Sequence, residues 1–130
     1  MAWYVDTSAL AKLVVAESET AALRAWLEEQ DRDLVACDLA RTELLRAVRR
    51  TAPDRVLQAR EVLAAVTMVH VTSAVFENAG RLDPPGLRSL DAIHLAAALD
   101  LGDDLEGVIT YDDRLANAAV SNGVAVLTPR

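Results

Sequence analysis

Four acidic side chains stand out by type and context: Asp6, Glu43, Asp91 and Asp112, separated by 37, 48 and 21 residues in a chain of 130. Asp6 directly follows an apolar run at 2–5, and Asp112 follows a second run at 107–110 after one intervening residue, as acids at the carboxyl ends of strands do. Each alone has an ordinary explanation, because Asp is a favoured helix N-cap. Asp91 and Glu43 resist it. Asp91 lies in Ser-Leu-Asp-Ala-Ile-His-Leu-Ala-Ala-Ala-Leu, a helix apolar around its whole circumference. A buried carboxylate there costs several kcal/mol unless an arginine such as Arg88 or Arg114, a cation or a polar cleft receives it. Glu43 shares its helix face with Leu39, Ala40 and Ala47.

If the four converge, two unit charges about 4 Å apart repel by roughly 4 kcal/mol at an effective dielectric of about 20. A cation relieves that, and an all-oxygen donor set selects hard ions, Mg²⁺ or Mn²⁺, which leave positions open to water and phosphate. Such a centre suits phosphodiester hydrolysis, in which water is activated and charge on the leaving oxygen is offset. Competing chemistries are missing their residues. The glycines at 80, 86, 102, 107 and 123 are isolated, so there is no dinucleotide fingerprint and no phosphate loop. Cys37 is the single cysteine, which excludes an internal disulfide and a cysteine-cluster zinc site and fits a core position. His70 falls in a strand. His94, three residues after Asp91, reads as a hydrogen-bonded core histidine.

Periodicity supplies the elements that position these acids. Strands are expected at 2–5, 34–37, 69–71, 107–110 and 124–127, and helices at 7–16, 18–30, 38–50, 53–66, 73–81, 89–101 and 112–121. Ser18, Asp38 and Thr72 or Ser73 are the expected caps, and 83–86 is the clearest loop. Strands alternating with helices predict a parallel sheet covered on both faces, with its ligand site at the carboxyl edge.

The composition is that of one domain spanning 1–130, with 52% hydrophobic and 25% charged residues. Apolar clusters are broken long before the ~18 residues a membrane span needs, and the N-terminus lacks the pattern of an export signal, so a cytoplasmic protein with no membrane partner is expected. The net charge of −7 argues against nucleic-acid binding over the whole surface. The exception is the segment 41–60, where Arg41, Arg46, Arg49, Arg50, Arg55 and Arg60 face only Glu43 and Asp54, a local net of +4. Arg46, Arg49 and Arg50 are candidate RNA-phosphate contacts, the alternative being a solvated helix face.

The same residues carry a family resemblance. Val5-Asp6-Thr7-Ser8-Ala9-Leu10, Glu43-Leu44-Leu45-Arg46-Ala47, Leu90-Asp91-Ala92-Ile93-His94-Leu95-Ala96 and Thr110-Tyr111-Asp112-Asp113-Arg114-Leu115, in that order, resemble the PIN-domain ribonucleases, specifically the VapC toxins of bacterial toxin–antitoxin pairs. The resemblance covers essentially the whole chain. It implies a three-layer α/β sandwich around a five-stranded parallel sheet and a Mg²⁺- or Mn²⁺-dependent endoribonuclease. It matches Asp6, Glu43, Asp91 and Asp112 to an acidic quartet in which Asp6, Asp91 and Asp112 are metal ligands and Glu43 acts through water. Ser8 and Thr110 match supporting hydroxyls, and Asp113 is a neighbouring acid able to stand in as a ligand. Leu115 departs from the aromatic that relatives often carry there. A VapB-like antitoxin offering Arg or Lys to the acids and a homodimer are also implied.

Two other classes were open. A phosphoryl-accepting receiver domain needs paired acids after the first strand and a lysine after the last; here Thr7-Ser8 follows Asp6, and Lys12, the sole lysine, lies in the first helix. A non-catalytic module whose acids cap helices or anchor a basic peptide differs from a metal site in one measurable way, since added Mg²⁺ or Mn²⁺ would not raise its melting temperature.

Overall fold

The first strand, β1 (Ala2–Val5), is buried at every position, as a strand covered on both faces must be. Ala2 and Tyr4 point into one apolar core and Trp3 and Val5 into another, the two-residue alternation of a strand. Around it lie β2 (Asp33–Cys37), β3 (Thr67–Val69), β4 (Leu105–Ile109) and β5 (Val126–Leu127), all parallel, in the order β3-β2-β1-β4-β5. The chain steps outward from β1 to β3, then returns to the far side of β1 for β4 and β5. Strand order therefore reverses at β1, and the crevice that such a reversal opens lies at its carboxyl end, where Asp6 stands. The coordinates are a computed structural model that describes residues 1–29 and 33–130, so the end of the helix expected at 18–30 lies outside the described residues.

The helices form the outer layers of the expected sandwich. The helices α1 (Thr7–Val14), α2 (Thr20–Glu29), α3 (Leu39–Thr51) and α4 (Val56–Ala64) pack on one another over the Trp3 and Val5 face. On the Tyr4 face, α5 (Ser73–Arg81) and α7 (Asp113–Ser121) flank α6 (Ser89–Leu99). Single 3-10 turns at Pro53–Arg55 and Gly102–Asp104 lead into α4 and β4.

Several boundaries differ from the periodic reading, each for a physical reason. The third strand sits two residues earlier than expected because its register pairs Val35 with Thr67 and Cys37 with Val69, leaving His70 and Val71 beyond the ladder. Val124 and Ala125 look like strand but are not, since the Val124 N–H closes the end of α7 on the Ala119 carbonyl at 2.9 Å. Thr20 replaces Ser18 at the start of α2, its hydroxyl accepting from Glu17 N at 2.9 Å and donating to the Lys12 carbonyl at 2.8 Å. Thr72 caps α5 as expected. Asp38 precedes α3 without capping it; its carboxylate turns to His70 Nδ1 at 2.6 Å and Arg41 Nε at 3.8 Å.

Gly107 marks the tightest approach in the sheet. A Cβ there would meet Trp3 Cζ3 at 2.4 Å and the Ala125 carbonyl at 2.7 Å. The Trp3 ring cannot easily withdraw, being buried and packed edge-on to Trp26 at 5.1 Å. Gly107→Ala should therefore cost about 1–3 kcal/mol of stability, seen as a lower denaturation midpoint at unchanged slope. An unmoved midpoint would mean that the Trp3 ring swings aside freely.

Candidate active site

Asp6 is the best-anchored of the four acids. It caps α1, with Oδ1 accepting from Ala9 N at 3.1 Å and from Ser8 Oγ at 2.6 Å, while Oδ2 accepts from Thr110 Oγ1 at 2.6 Å. The two hydroxyls also hold the far wall of the crevice. Ser8 Oγ accepts from Tyr111 N at 2.9 Å and Thr110 Oγ1 from Asp112 N at 3.0 Å, so the turn after β4 is fastened to Asp6 itself. Ser8 and Thr110, the two hydroxyls singled out in the sequence, both hydrogen-bond to Asp6. Asp6 is only 4% exposed, and that burial pushes its carboxyl above the ordinary value despite the Ser8, Thr110 and Ala9 hydrogen bonds.

Asp112 caps α7, its Oδ1 accepting from Arg114 N at 2.9 Å and Leu115 N at 3.2 Å. Both strand-end acids are thus helix caps that stand at the carboxyl edge of the sheet. Asp91, in the first turn of α6, is half-buried rather than enclosed, and among the described residues neither Arg88 nor Arg114 nor any other basic side chain pairs with it. The arginine ion pair weighed as one alternative for Asp91 is absent among the described residues. Burial raises the Asp91 carboxyl above its ordinary value, and the charges of Asp112, Asp6 and Glu43 add to it against the pull of His94. Asp91 thus lies within the fields of the other three acids. Among the described residues no three His, Cys, Asp or Glu side chains close into a ready-made cage. The acids form an open edge with one carboxylate unsatisfied, a donor set suited to an ion that keeps several waters and shares itself with a phosphate.

Glu43 comes from the second turn of α3 and is held through one oxygen. Thr7 Oγ1 donates to Oε1 at 2.8 Å, and His94 Nε2 donates to the same oxygen at 2.5 Å. His94 is buried, with Nδ1 2.7 Å from Tyr4 Oη, which in turn accepts from Cys37 N at 3.2 Å. Burial opposes charge on His94, but the hydrogen bonds and charges of Cys37 and Glu43 outweigh it and push the imidazole up to about 10. Burial likewise raises Glu43, yet its bond and charge from His94, helped by Thr7, leave it below its ordinary value. His94 is the hydrogen-bonded core histidine expected from the sequence; its partners, Glu43 and Tyr4, were not anticipated. The available signal was spacing, since residues three apart share a helix face and His94 therefore projects near Asp91.

The remaining candidates are peripheral. Asp113 is exposed at the start of α7. Arg46, Arg49 and Arg50 are exposed and together line an open depression of about 480 Å³ on α3, the helix that carries Glu43. Cys37 is fully buried, as a core residue should be.

A parallel sheet that reverses at β1, with acids along the carboxyl edge at that reversal, defines an α/β domain whose crevice is lined by carboxylates. The PIN domain family model matches residues 3–121. Ribonuclease VapC46 of Mycobacterium tuberculosis is 43% identical over 126 residues, spanning 97% of this chain and 96% of that protein. Ribonuclease VapC47 of the same species is 40% identical over 130 residues with the same coverage. Among solved structures, M. tuberculosis VapC20, a sarcin-ricin loop cleaving toxin, shares the fold with a TM-score of 0.79 at 18% identity, over 99% of this chain and 100% of that one. A chain of a toxin–antitoxin complex from Klebsiella pneumoniae gives 0.75 at 19%, over 98% of each. The chain belongs to the PIN-domain family and, within it, to the VapC ribonucleases.

Because burial and, after it, the charges of Asp112, Asp6 and Glu43 raise Asp91, its ionisation destabilises the fold. A raised carboxyl contributes stability that is complete below its unfolded value, near 3.8, and is lost as pH rises through the folded value. Asp91→Asn in EDTA should therefore match the wild type at pH 4 and exceed it at pH 7, by up to about 1 kcal/mol for so open a site. A loss of several kcal/mol in chemical denaturation at pH 7 would instead reveal a buried ion pair.

Proposed function

We propose that this chain is a divalent-metal-dependent endoribonuclease acting as the toxin of a VapBC-type pair, with Mg²⁺ or Mn²⁺ as its ion. The observation that carries this reading is Asp91: a carboxylate in the fields of three other acids, with no basic partner among the described residues. Asp6, Asp91 and Asp112 hold the ion, Asp6 being fixed by its three donors and Asp91 left free to ligate. When bound, such an ion polarises a phosphodiester and lowers the pKa of water. Glu43, kept ionised at neutral pH by His94 and Thr7, accepts the proton of the attacking water through its unbonded oxygen. Ser8 and Thr110 keep the two walls of the crevice in register, and Asp113 is the nearest substitute ligand.

RNA reaches this acidic edge along the arginine face of α3, where Arg46, Arg49 and Arg50 take successive phosphates. The partner is a VapB-like antitoxin whose Arg or Lys side chains satisfy the same acids, and the toxin acts as a homodimer. No helix among the described residues is long and apolar enough to cross a membrane; the proposed place of action is the cytoplasm.

Asp6→Asn, Asp91→Asn and Asp112→Asn should each slow cleavage of total RNA at least about 100-fold with an unchanged circular-dichroism spectrum. Mn²⁺ should raise the melting temperature of the wild type and not that of Asp91→Asn. Near-wild-type cleavage by Asp91→Asn in Mn²⁺ would sink the assignment.

Replacing Arg46, Arg49 and Arg50 together by Gln should weaken RNA binding measured in Ca²⁺ and flatten its log–log salt dependence by up to about 0.7 per lost phosphate contact. An unchanged slope at unchanged oligomeric state would make these arginines a solvated face and move the RNA path elsewhere.

A further inference from the structure

His94 is buried and lies too deep to touch a substrate, yet it spends a hydrogen bond on a candidate catalytic acid. Oε1 of Glu43 receives two donors, Thr7 Oγ1 and His94 Nε2, whereas Oε2 receives none among the described residues. Two donors on one oxygen fix the rotation of the carboxylate, so the second oxygen faces one direction. The imidazole is itself fixed, because its other nitrogen meets Tyr4 Oη, which the Cys37 amide anchors to the sheet. The path thus runs from the backbone of β2, through a side chain of β1 and a side chain of α6, to an acid on α3. It ties the two helical layers together across the carboxyl edge.

We propose that His94 and Tyr4 are positioning residues for Glu43: through the Tyr4–His94–Glu43 path they present the free carboxylate oxygen to the attacking water. The inference rests on the reading of Glu43 as a proton acceptor. Displacement of such a group by about 1 Å is enough to cost on the order of 100-fold in rate without touching substrate binding. The effect of the path should therefore fall on turnover and run entirely through Glu43.

The test is a double-mutant cycle on the full chain, using an oligoribonucleotide that spans a site the wild type cuts in total RNA, at saturating Mn²⁺. His94→Phe should lower kcat about 100-fold with KM and the Mn²⁺ half-saturation within about threefold of wild type. His94→Gln, which keeps an N–H near the position of Nε2, should recover kcat to within about tenfold, and Tyr4→Phe should cost about tenfold. In a Glu43→Gln background, His94→Phe should add less than about threefold, because its route to the reaction is already removed. Full additivity of the two substitutions overturns the proposal, as does wild-type kcat in folded His94→Phe. Should His94→Phe unfold, Tyr4→Phe and His94→Gln decide: wild-type kcat in Tyr4→Phe, or no better kcat in His94→Gln than in a folded His94→Ala, overturns it. Glu43→Gln alone at wild-type rate overturns the prior assignment of Glu43 instead, so the two failures are told apart.

Discussion

The Coulomb repulsion that Asp91 meets from Asp112, Asp6 and Glu43 is the constraint to which the rest of the molecule answers. A carboxylate in the fields of three others is unfavourable at neutral pH, and only a scaffold with stability to spare can hold it there. The sheet provides it by burying both faces of β1, which fills the two apolar cores with Trp3, Tyr4 and Val5 and leaves its carboxyl end as the seam where both helical layers meet. The acids arrive at that seam from four elements: the ends of β1 and β4, the second turn of α3 and the first turn of α6. Because no two share an element, no local rearrangement can separate them all.

Each acid is restrained by a different device, and the differences sort their roles. Asp6 is buried and triply hydrogen-bonded, so it is rigid. Asp112 has one oxygen committed to the α7 cap. Glu43 is bound through one oxygen to the His94 imidazole, whose hydrogen bond and charge hold it below its ordinary value against burial. Asp91 has no partner among the described residues, and burial with the charges of Asp112, Asp6 and Glu43 raises its carboxyl. A hydroxyl relay from Ser8 and Thr110 then joins the rigid acid to the turn that presents Asp112, so two walls of the crevice move as one body.

The layer architecture was legible in the sequence because strands leave a local signature in period-2 or continuous apolar runs, and the placement of the four acids was legible because they stand directly after such runs or inside apolar helices. What was illegible depended on register and on side-chain choice. Val71 and Val124 are as apolar as strand residues, yet one lies past the end of the β2–β3 ladder and the other closes a helix. Asp38 has the type and place of an N-cap, but the register of β3 sets His70 beside it, and an imidazole outcompetes the α3 amides for its carboxylate. The Glu43–His94 bond spans 51 residues and two layers, and no periodicity reports on such a pair. Asp91 shows the opposite case: its burial was overestimated because α6 is apolar all round, whereas its first turn emerges at the sheet edge.

The distribution of positive charge explains why no basic side chain among the described residues pairs with Asp91. Lys12, the one lysine, is nearly buried and held by Glu17 at 3.2 Å and Glu19 at 3.0 Å above the Tyr111 ring. His94 is committed to Glu43 and Arg41 to Asp38. Arg46, Arg49 and Arg50 remain in solvent on α3, where they line an open depression and do not neutralise the crevice. A chain of net charge −7 thus keeps these cations on the outside and leaves Asp91 without a basic partner among the described residues. A basic side chain moved inward to pair with Asp91 would relieve the fields of Asp112, Asp6 and Glu43 and stabilise the fold, so the open acid edge is held at a cost that burial in the two apolar cores offsets.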